Sequence, residues 1–379
     1  MNMSSIDAIA RAVLYEGYML YPYRPSSVKN RQRFNFGVLY PRPYSEAQSG
    51  TDAWSMQTEC LMEATERTAI DVRVRFLKLV DRSVWELTEP SADENKRDGM
   101  QRFEPATAVE VEGKTFAAWQ EAIECEVTVP SCNLGTLAAT ALEWPFAFPS
   151  TEEPEHLRDA NGRLMGVIVR QQEVVRGMVE VTAARVADGI FKVQVKVKNL
   201  TAFAMPHQDD TGERSRNRSL MRSLVSAHVV LEAVEGAFVS LLEPPENLRE
   251  LAAGCQNVGA WPVLVGAGGC ENLTRTRDTM LASPIILYDY PQIAPESPGD
   301  LFDGTEIDEI LALRILTMTE DEKSEMRNTD ERARELLERT ESLPMEQLMK
   351  LHGSMRELHG PNPWEAESLK VESWKEEMP

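Results

Sequence analysis

Histidine and cysteine are both scarce in this 379-residue chain, five of each. Cys60, Cys125, Cys132, Cys255 and Cys270 form no C-x-x-C pair. An odd, scattered set argues against a disulfide framework and for reduced, mostly buried thiols. No run approaches the ~18 consecutive apolar residues of a membrane helix. The opening stretch MNMSSIDAIARAVLYEGY carries Asp7 and Glu16 and lacks a basic leader ahead of an apolar core, so a soluble, cytoplasmic chain is expected. Positive charge is also short: 40 Lys and Arg stand against 61 Asp and Glu, a net −21. That balance argues against wrapping DNA or RNA, whose phosphates need clustered cations, and suits a chain that meets basic partners. The motifs GxxxxGK[ST], GxGxxG, HExxH and GxSxG are missing, and no period of 20–50 residues recurs.

What is present reads mainly as strand. With 42% hydrophobic residues the chain can build a sizeable core, and its length suggests about two domains. IDVRVRFLKLV (70–80) alternates, with Ile70, Val72, Val74 and Phe76 on one face and Asp71, Arg73 and Arg75 on the other, predicted to be wet. IECEVTV (123–129) repeats the pattern, with Ile123, Cys125, Val127 and Val129 inward. MVEVTAARVADGIFKVQVKVKNLT (178–201) predicts a hairpin turning at Asp188-Gly189, because Asp-Gly accepts the positive φ angles of a tight turn. A second hairpin is predicted over 226–245, turning near Glu235-Gly236. A strand is expected in FNFGVLY with Phe34, Phe36 and Val38 on one face. Short helices are predicted over 5–16, 115–124 and 218–225. The fold class is therefore mainly β (α+β): an antiparallel sandwich or distorted barrel over 1–299, with a possible division near 150–165. Residues 300–379 form an acidic helical extension with 21 acidic and 10 basic side chains, too few apolar ones for a core of its own. Thr319 and Glu322 fit a capping box there.

Candidate chemistry is sparse. PHQDDTGERSRNRS (206–219) offers His207 and Asp209, which with His228 on the following strand could hold a transition metal; a polar surface loop is the alternative. Asp300, Asp303 and Glu306 crowd carboxylates before a helix, where they serve its positive end, an acid–base pair or a hard cation. GAGG (266–269) reads as a turn rather than a phosphate loop, since no capped helix follows it.

The most distinctive segment is YEGYMLYPYRPSSVKNRQRFNFGVLYPRPY (15–44), with six of the eight tyrosines and Arg24, Lys29, Arg31, Arg33 and Arg42. Residues 1–42 carry six basic and two acidic groups, net +4 within an acidic protein. Tyr and Arg dominate protein interfaces because each buries area and keeps a polar tip. Tyr21, Tyr23, Arg24, Lys29, Asn30 and Arg33 are thus the candidate partner-binding residues. The internal alternative is that the cations clamp the acidic 300–310 region while the tyrosines close a core edge.

Three stretches, YEGYMLYPYRPSSVKNRQRFNFGVLYP, GAFVSLLEPP and SPIILYDYPQIAPESPGDLFDGTEIDEILALRILTMTEDEK, together resemble a family of proteins encoded beside high-affinity, oxygen-tolerant uptake NiFe-hydrogenases of soil bacteria. The resemblance implies a role in assembling, maturing or supporting the hydrogenase through protein–protein binding. It implies no established reaction, no catalytic residues and no cofactor. The alternative is a metal-handling protein or carboxylate-based enzyme using His207 and His228, or Asp300 and Glu306. Oligomeric state is left open.

Overall fold

The computed structural model describes residues 3–16, 35–88, 102–204, 212–266, 276–291, 312–328 and 331–344. Two antiparallel sheets stack as a sandwich and do not close into a barrel. The first contains β1 (Ser55–Glu63), β7 (Leu142–Phe148), β10 (Val175–Ala187), β11 (Ile190–Asn199) and β13 (Ala237–Val239), in the order β13-β1-β11-β10-β7. The second is organised by β2 (Ala69–Thr88), a strand of 20 residues. Along one edge β2 pairs with β12 (Val225–Val234) and then β9 (Leu164–Gln172). Along the other it pairs with β6 (Trp119–Asn133) and then β3 (Arg102–Ala106). β15 (Thr279–Ser283) and β14 (Trp261–Leu264) extend the β12 side, and β8 (Thr151–Arg158) forms a hairpin with β9.

Alternation dictates which faces meet. Ile70, Val72, Val74 and Phe76 of β2 and Phe191, Val193, Val195 and Val197 of β11 are all buried in the main core. The intervening Lys192 and Lys198 pair instead with Glu59 (3.2 Å) and Glu180 (2.5 Å) on the outer face. The predicted Asp188-Gly189 turn is present, with Gly189 at φ +68°. Phe76 spans the sandwich to reach Phe146 and Phe148 of β7, at ring-centroid separations of 6.2 and 5.4 Å. At one edge the sheets are joined where the Phe238 amide donates to the Arg277 carbonyl, 2.6 Å. Towards β7, the buried Lys78 ammonium donates to Pro149 O at 2.8 Å, with burial lowering its pKa.

Several expectations need correction. Residues 115–124 are not helical. Glu112 at φ +52° and Gly113 at φ +76° turn a hairpin between β4 (Ala108–Val111) and β5 (Lys114–Ala117), and β6 follows at once. Ile123 is exposed, while Cys125, Val127 and Val129 are buried. Residues 226–245 do not form a hairpin: beyond Glu235 (φ +61°) the chain crosses to the other sheet, and β13 pairs with β1. A Cβ at Gly236 would meet Thr68 Cγ2 at 2.7 Å, so this crossing needs glycine. FNFGVLY is not a strand in its described part, Asn35–Tyr40. It bends over Gly37 and makes a single bridge, Leu39 to Leu224, burying Leu39 rather than Val38.

The Arg73 and Arg75 face of β2 is not wet. Helix α1 (Met3–Glu16) lies over it, with Ile9, Ala10, Ala12 and Val13 packed on Val230, Val263, Val265 and Leu281. Helices α6 (Glu320–Arg327) and α7 (Glu331–Ser342) share a small core of Ile315, Met326, Ala333 and Leu337, where composition had suggested none. The Thr319–Glu322 capping box is formed. Arg82 of β2 ties this extension to the sheets, binding Glu121 (2.8 Å) and the carbonyls of Ala117 (3.0 Å) and Asn328 (3.3 Å). No helix among the described residues is long and apolar enough to cross a membrane.

Candidate partner-binding face

Tyr21, Tyr23, Arg24, Lys29, Asn30 and Arg33 lie outside the described residues, as do His207, Asp209, Asp300, Asp303, Glu306, Cys270 and most of GAGG. What is described is the ground on which the tyrosine-rich segment stands. Helix α1, which leads into that segment, and Phe36–Gly37, within it, meet at one irregularity of β12, the register shift between Val225 and His228. There Ser226, at φ +55°, donates from Oγ to Val13 O of α1 at 3.2 Å and from its amide to Phe36 O at 3.0 Å. The Ala227 amide donates to Gly37 O (3.1 Å), and Leu39 and Leu224 exchange backbone hydrogen bonds. Positive φ at a non-glycine residue costs on the order of 1 kcal/mol and persists only where surrounding contacts enforce it. Here three hydrogen bonds do so. Gly37 itself sits at φ +52° against the Pro284 ring, which leaves no room for a Cβ.

The chain then enters an aromatic and arginine cluster. Tyr40, which precedes α2 (Arg42–Ala47), stacks at 5.3 Å from Tyr44, and Tyr44 meets Phe203 edge-on at 5.7 Å. All three rings are buried, together with Leu77, Leu79, Leu220 and Val225. Tyr40 and Tyr44 therefore close a core edge, the internal role foreseen for tyrosines of this segment. Burial pushes the Tyr40 phenol up to about 12, with Arg216 opposing and Asp52 adding to the shift. Burial also raises Tyr44.

Guanidinium groups cover the outer side of these rings. α4 (Gly212–Leu220) and the turn after it supply Arg214, Arg216, Arg218 and Arg222. Arg216 donates to the Tyr40 hydroxyl (2.9 Å), lies over that ring, and faces Asp52 at 3.7 Å. Arg218 and Arg222 each lie 5.9 Å from the centre of Phe203, and Arg222 also binds Glu173 at 3.0 Å. Arg42 stacks 4.8 Å over Trp54. Fully buried Asn199 holds the arrangement from below. Its side-chain amide donates to Leu39 O (2.8 Å) and Arg222 O (2.9 Å), and its Oδ1 accepts from the Thr201 amide. Arg42 and Arg216 remain about half exposed, and Arg214 and Arg218 are exposed. Arginines backed by aromatic rings lose little freedom when a partner binds, which is the make-up of an interface hot spot. The signal was available in the sequence as four arginines within 214–222 of an acidic chain.

His228, the remaining metal candidate, is fully buried beneath α1. Its Nδ1–H donates to Ser226 O at 3.0 Å, and Nε2 has no hydrogen-bond partner among the described residues. Burial first, then Arg75 and Arg73, push its pKa down to about 4. Arg73 bridges Glu232 (2.6 Å) and Asp7 (3.2 Å), and Arg75 faces Glu124 (3.4 Å) and Glu126 (3.6 Å). Arg11 of α1 completes the network on Glu124 at 3.0 Å. The arrangement clamps α1 to the sheet. Among the described residues no three His, Cys, Asp or Glu side chains gather as a metal ion requires. Cys60, Cys125, Cys132 and Cys255 are free thiols. Burial pushes Cys125 and Cys255 up to about 11 and Cys60 higher still, the opposite of an activated nucleophile.

No protein-family model matches the chain, and no curated protein matches it.

Proposed function

We propose that this chain is a non-catalytic accessory protein that binds a NiFe-hydrogenase subunit or its precursor during assembly or maturation. Tyr21, Tyr23, Arg24, Lys29, Asn30 and Arg33 carry recognition. The hydrogenase assignment is supported by the resemblance of three sequence stretches to proteins encoded beside such enzymes. The binding role is supported chiefly by one observation: α1 and Phe36–Gly37, on either side of residues 17–34, are pinned at the same place on β12, α1 to Ser226 and Phe36–Gly37 to Ser226 and Ala227. A segment whose ends are fixed together on a rigid sheet is a common way to present binding residues. The exposed arginines of α4 stand beside its return stem, since Leu39 bridges Leu224 four residues past the helix. Cytoplasmic residence belongs to the same proposal.

The test is affinity recovery of hydrogenase subunits with the full-length protein. Tyr23→Ala combined with Arg24→Ala is expected to lower recovery about tenfold, as loss of interface hot spots does, with an unchanged urea midpoint. Recovery equal to that of the natural protein contradicts the proposal.

A further inference from the structure

A strand at the margin of a sheet leaves the N–H and C=O groups of alternate residues without a ladder partner, and folded proteins blunt such margins with proline, short length or a cover. This molecule blunts almost every margin. β3, β7, β8 and β14 each lie at a sheet margin and carry Pro105, Pro145, Pro154 and Pro262. β13 has three residues, and β4 and β5 have four each. β6 departs from the rule. It has 15 residues and pairs along one side only, with β2. Its proline, Pro130, lies beyond Val129, where the register shifts, so residues 121–129 run without proline or bulge. Among the described residues, no backbone group bonds to the other side of that run.

The side chains along the run determine what can join it. Cys125, Val127 and Val129 are buried in the core, while Ile123, in line with them, is 39% exposed, so the apolar row is open at that end. Glu124 and Glu126 alternate with them on the outer face. Arg11 binds Glu124 at 3.0 Å, but Arg75 and Arg73 hold Glu126 only at 3.6 and 3.8 Å, and its side chain is 40% exposed. Asp7, Glu124, Glu126 and Glu232 outnumber Arg11, Arg73 and Arg75, which leaves this outer row net negative. We propose that residues 121–129 of β6 accept an extended segment of a partner protein as an added strand, and that this segment alternates apolar residues with lysine or arginine. Backbone hydrogen bonds supply the attachment, apolar side chains continue the row at Ile123, and cations meet Glu126 across the strands. A second copy of this chain fits badly. Antiparallel pairing of β6 with itself centred on Cys125 sets Glu124 of each copy against Glu126 of the other, and each copy carries −21. The contact is separate from residues 17–34 and goes beyond the accessory role proposed for them.

The test uses the full-length protein and the fluorescent peptide Val-Lys-Val-Lys-Val-Lys-Val, read by anisotropy. A strand has two edges, and N-methylation of alternate residues blocks one of them. Of the two complementary methylated peptides, one is expected to bind at least about tenfold more weakly and the other within about twofold of the parent. The reordered peptide Lys-Lys-Lys-Val-Val-Val-Val, equal in charge, is expected to lose about tenfold. Glu126→Lys is expected to weaken binding about tenfold, since charge reversal turns attraction into repulsion. Glu126→Gln is measured alongside, in case the reversed charge disturbs the ion pairs under α1, and is expected to fall between. Glu152→Lys, on β8, is expected to leave affinity within about twofold. The proposal is overturned by failure of the natural protein to bind the peptide, by equal binding of the reordered peptide, by equal effects of the two methylation patterns, or by equal losses at Glu126 and Glu152. A peptide-free dimer that the peptide dissociates overturns it too, and gives the edge to a second copy. Tyr23→Ala with Arg24→Ala is expected to bind the peptide unchanged, so peptide binding and subunit recovery fail separately.

Discussion

Phe76→Ala is expected to destabilise the protein by about 3–5 kcal/mol, enough to consume much of the stability of an ordinary domain. Phe76 is fully buried at the middle of β2, opposite Cys125, with β12 on its other side. Its ring is the contact through which the second sheet meets Phe146 and Phe148, which themselves pack edge-on at 6.2 Å. Truncation removes the ring from both partners and leaves a void between two hydrogen-bonded sheets, whose fixed separation prevents collapse. Urea unfolding at neutral pH, with an unchanged slope, measures the loss. A change below about 1 kcal/mol would mean that the two sheets do not meet at this ring.

Lowering the pH from 7.5 to 5 is expected to cost about 2 kcal/mol through His228 alone. The folded protein holds this imidazole at a pKa of about 4, while the unfolded chain binds the proton near 6.5. Between those values the unfolded state carries more bound protons. The contribution is therefore complete above pH 6.5 and is lost as pH falls towards 4. The cause is burial beneath α1, reinforced by Arg75 and Arg73. The facing carboxylates of Asp7, Glu124, Glu126 and Glu232 are engaged by those arginines. His228→Gln removes the titrating group and keeps a hydrogen-bonding side chain. Its urea midpoint should fall less than that of the natural protein over the same interval, because every other histidine is common to both. Parallel curves would show that His228 is solvated in the folded state.

Much of the sandwich was legible from residue order. β2, β6, β10 and β11 announce themselves because a strand buried on one face must alternate, and the β10–β11 turn because Asp-Gly tolerates its angles. Legibility failed where a tertiary contact decides. Nothing local in EGAFV says that β13 will join β1 rather than β12; the crossing brings Gly236 close against Thr68, a contact that exists only in the fold. Arg73 and Arg75 follow the pattern of a wet face, yet Asp7 and Arg11 arrive from α1 to complete an ion-pair network there. The candidate face shows the same division. Clustering of tyrosine and arginine at 15–44 marked one component. Tyr40 and Tyr44 belong to the core, however, and the exposed cations beside them come from α4, about 170 residues later. Asn199, which joins Leu39 to Arg222, has no sequence signature, because its value lies entirely in two carbonyls brought together by folding.

Amide hydrogen exchange of the full-length protein, alone and saturated with a recovered hydrogenase subunit, tests the central claim most directly. Slowed exchange in 212–224 and in the stem 35–44, with the β10–β11 hairpin unchanged, is the predicted footprint of a partner held on the aromatic–arginine face. Protection confined to the outer faces of β10 and β11, with 212–224 exchanging as in the free protein, would contradict it.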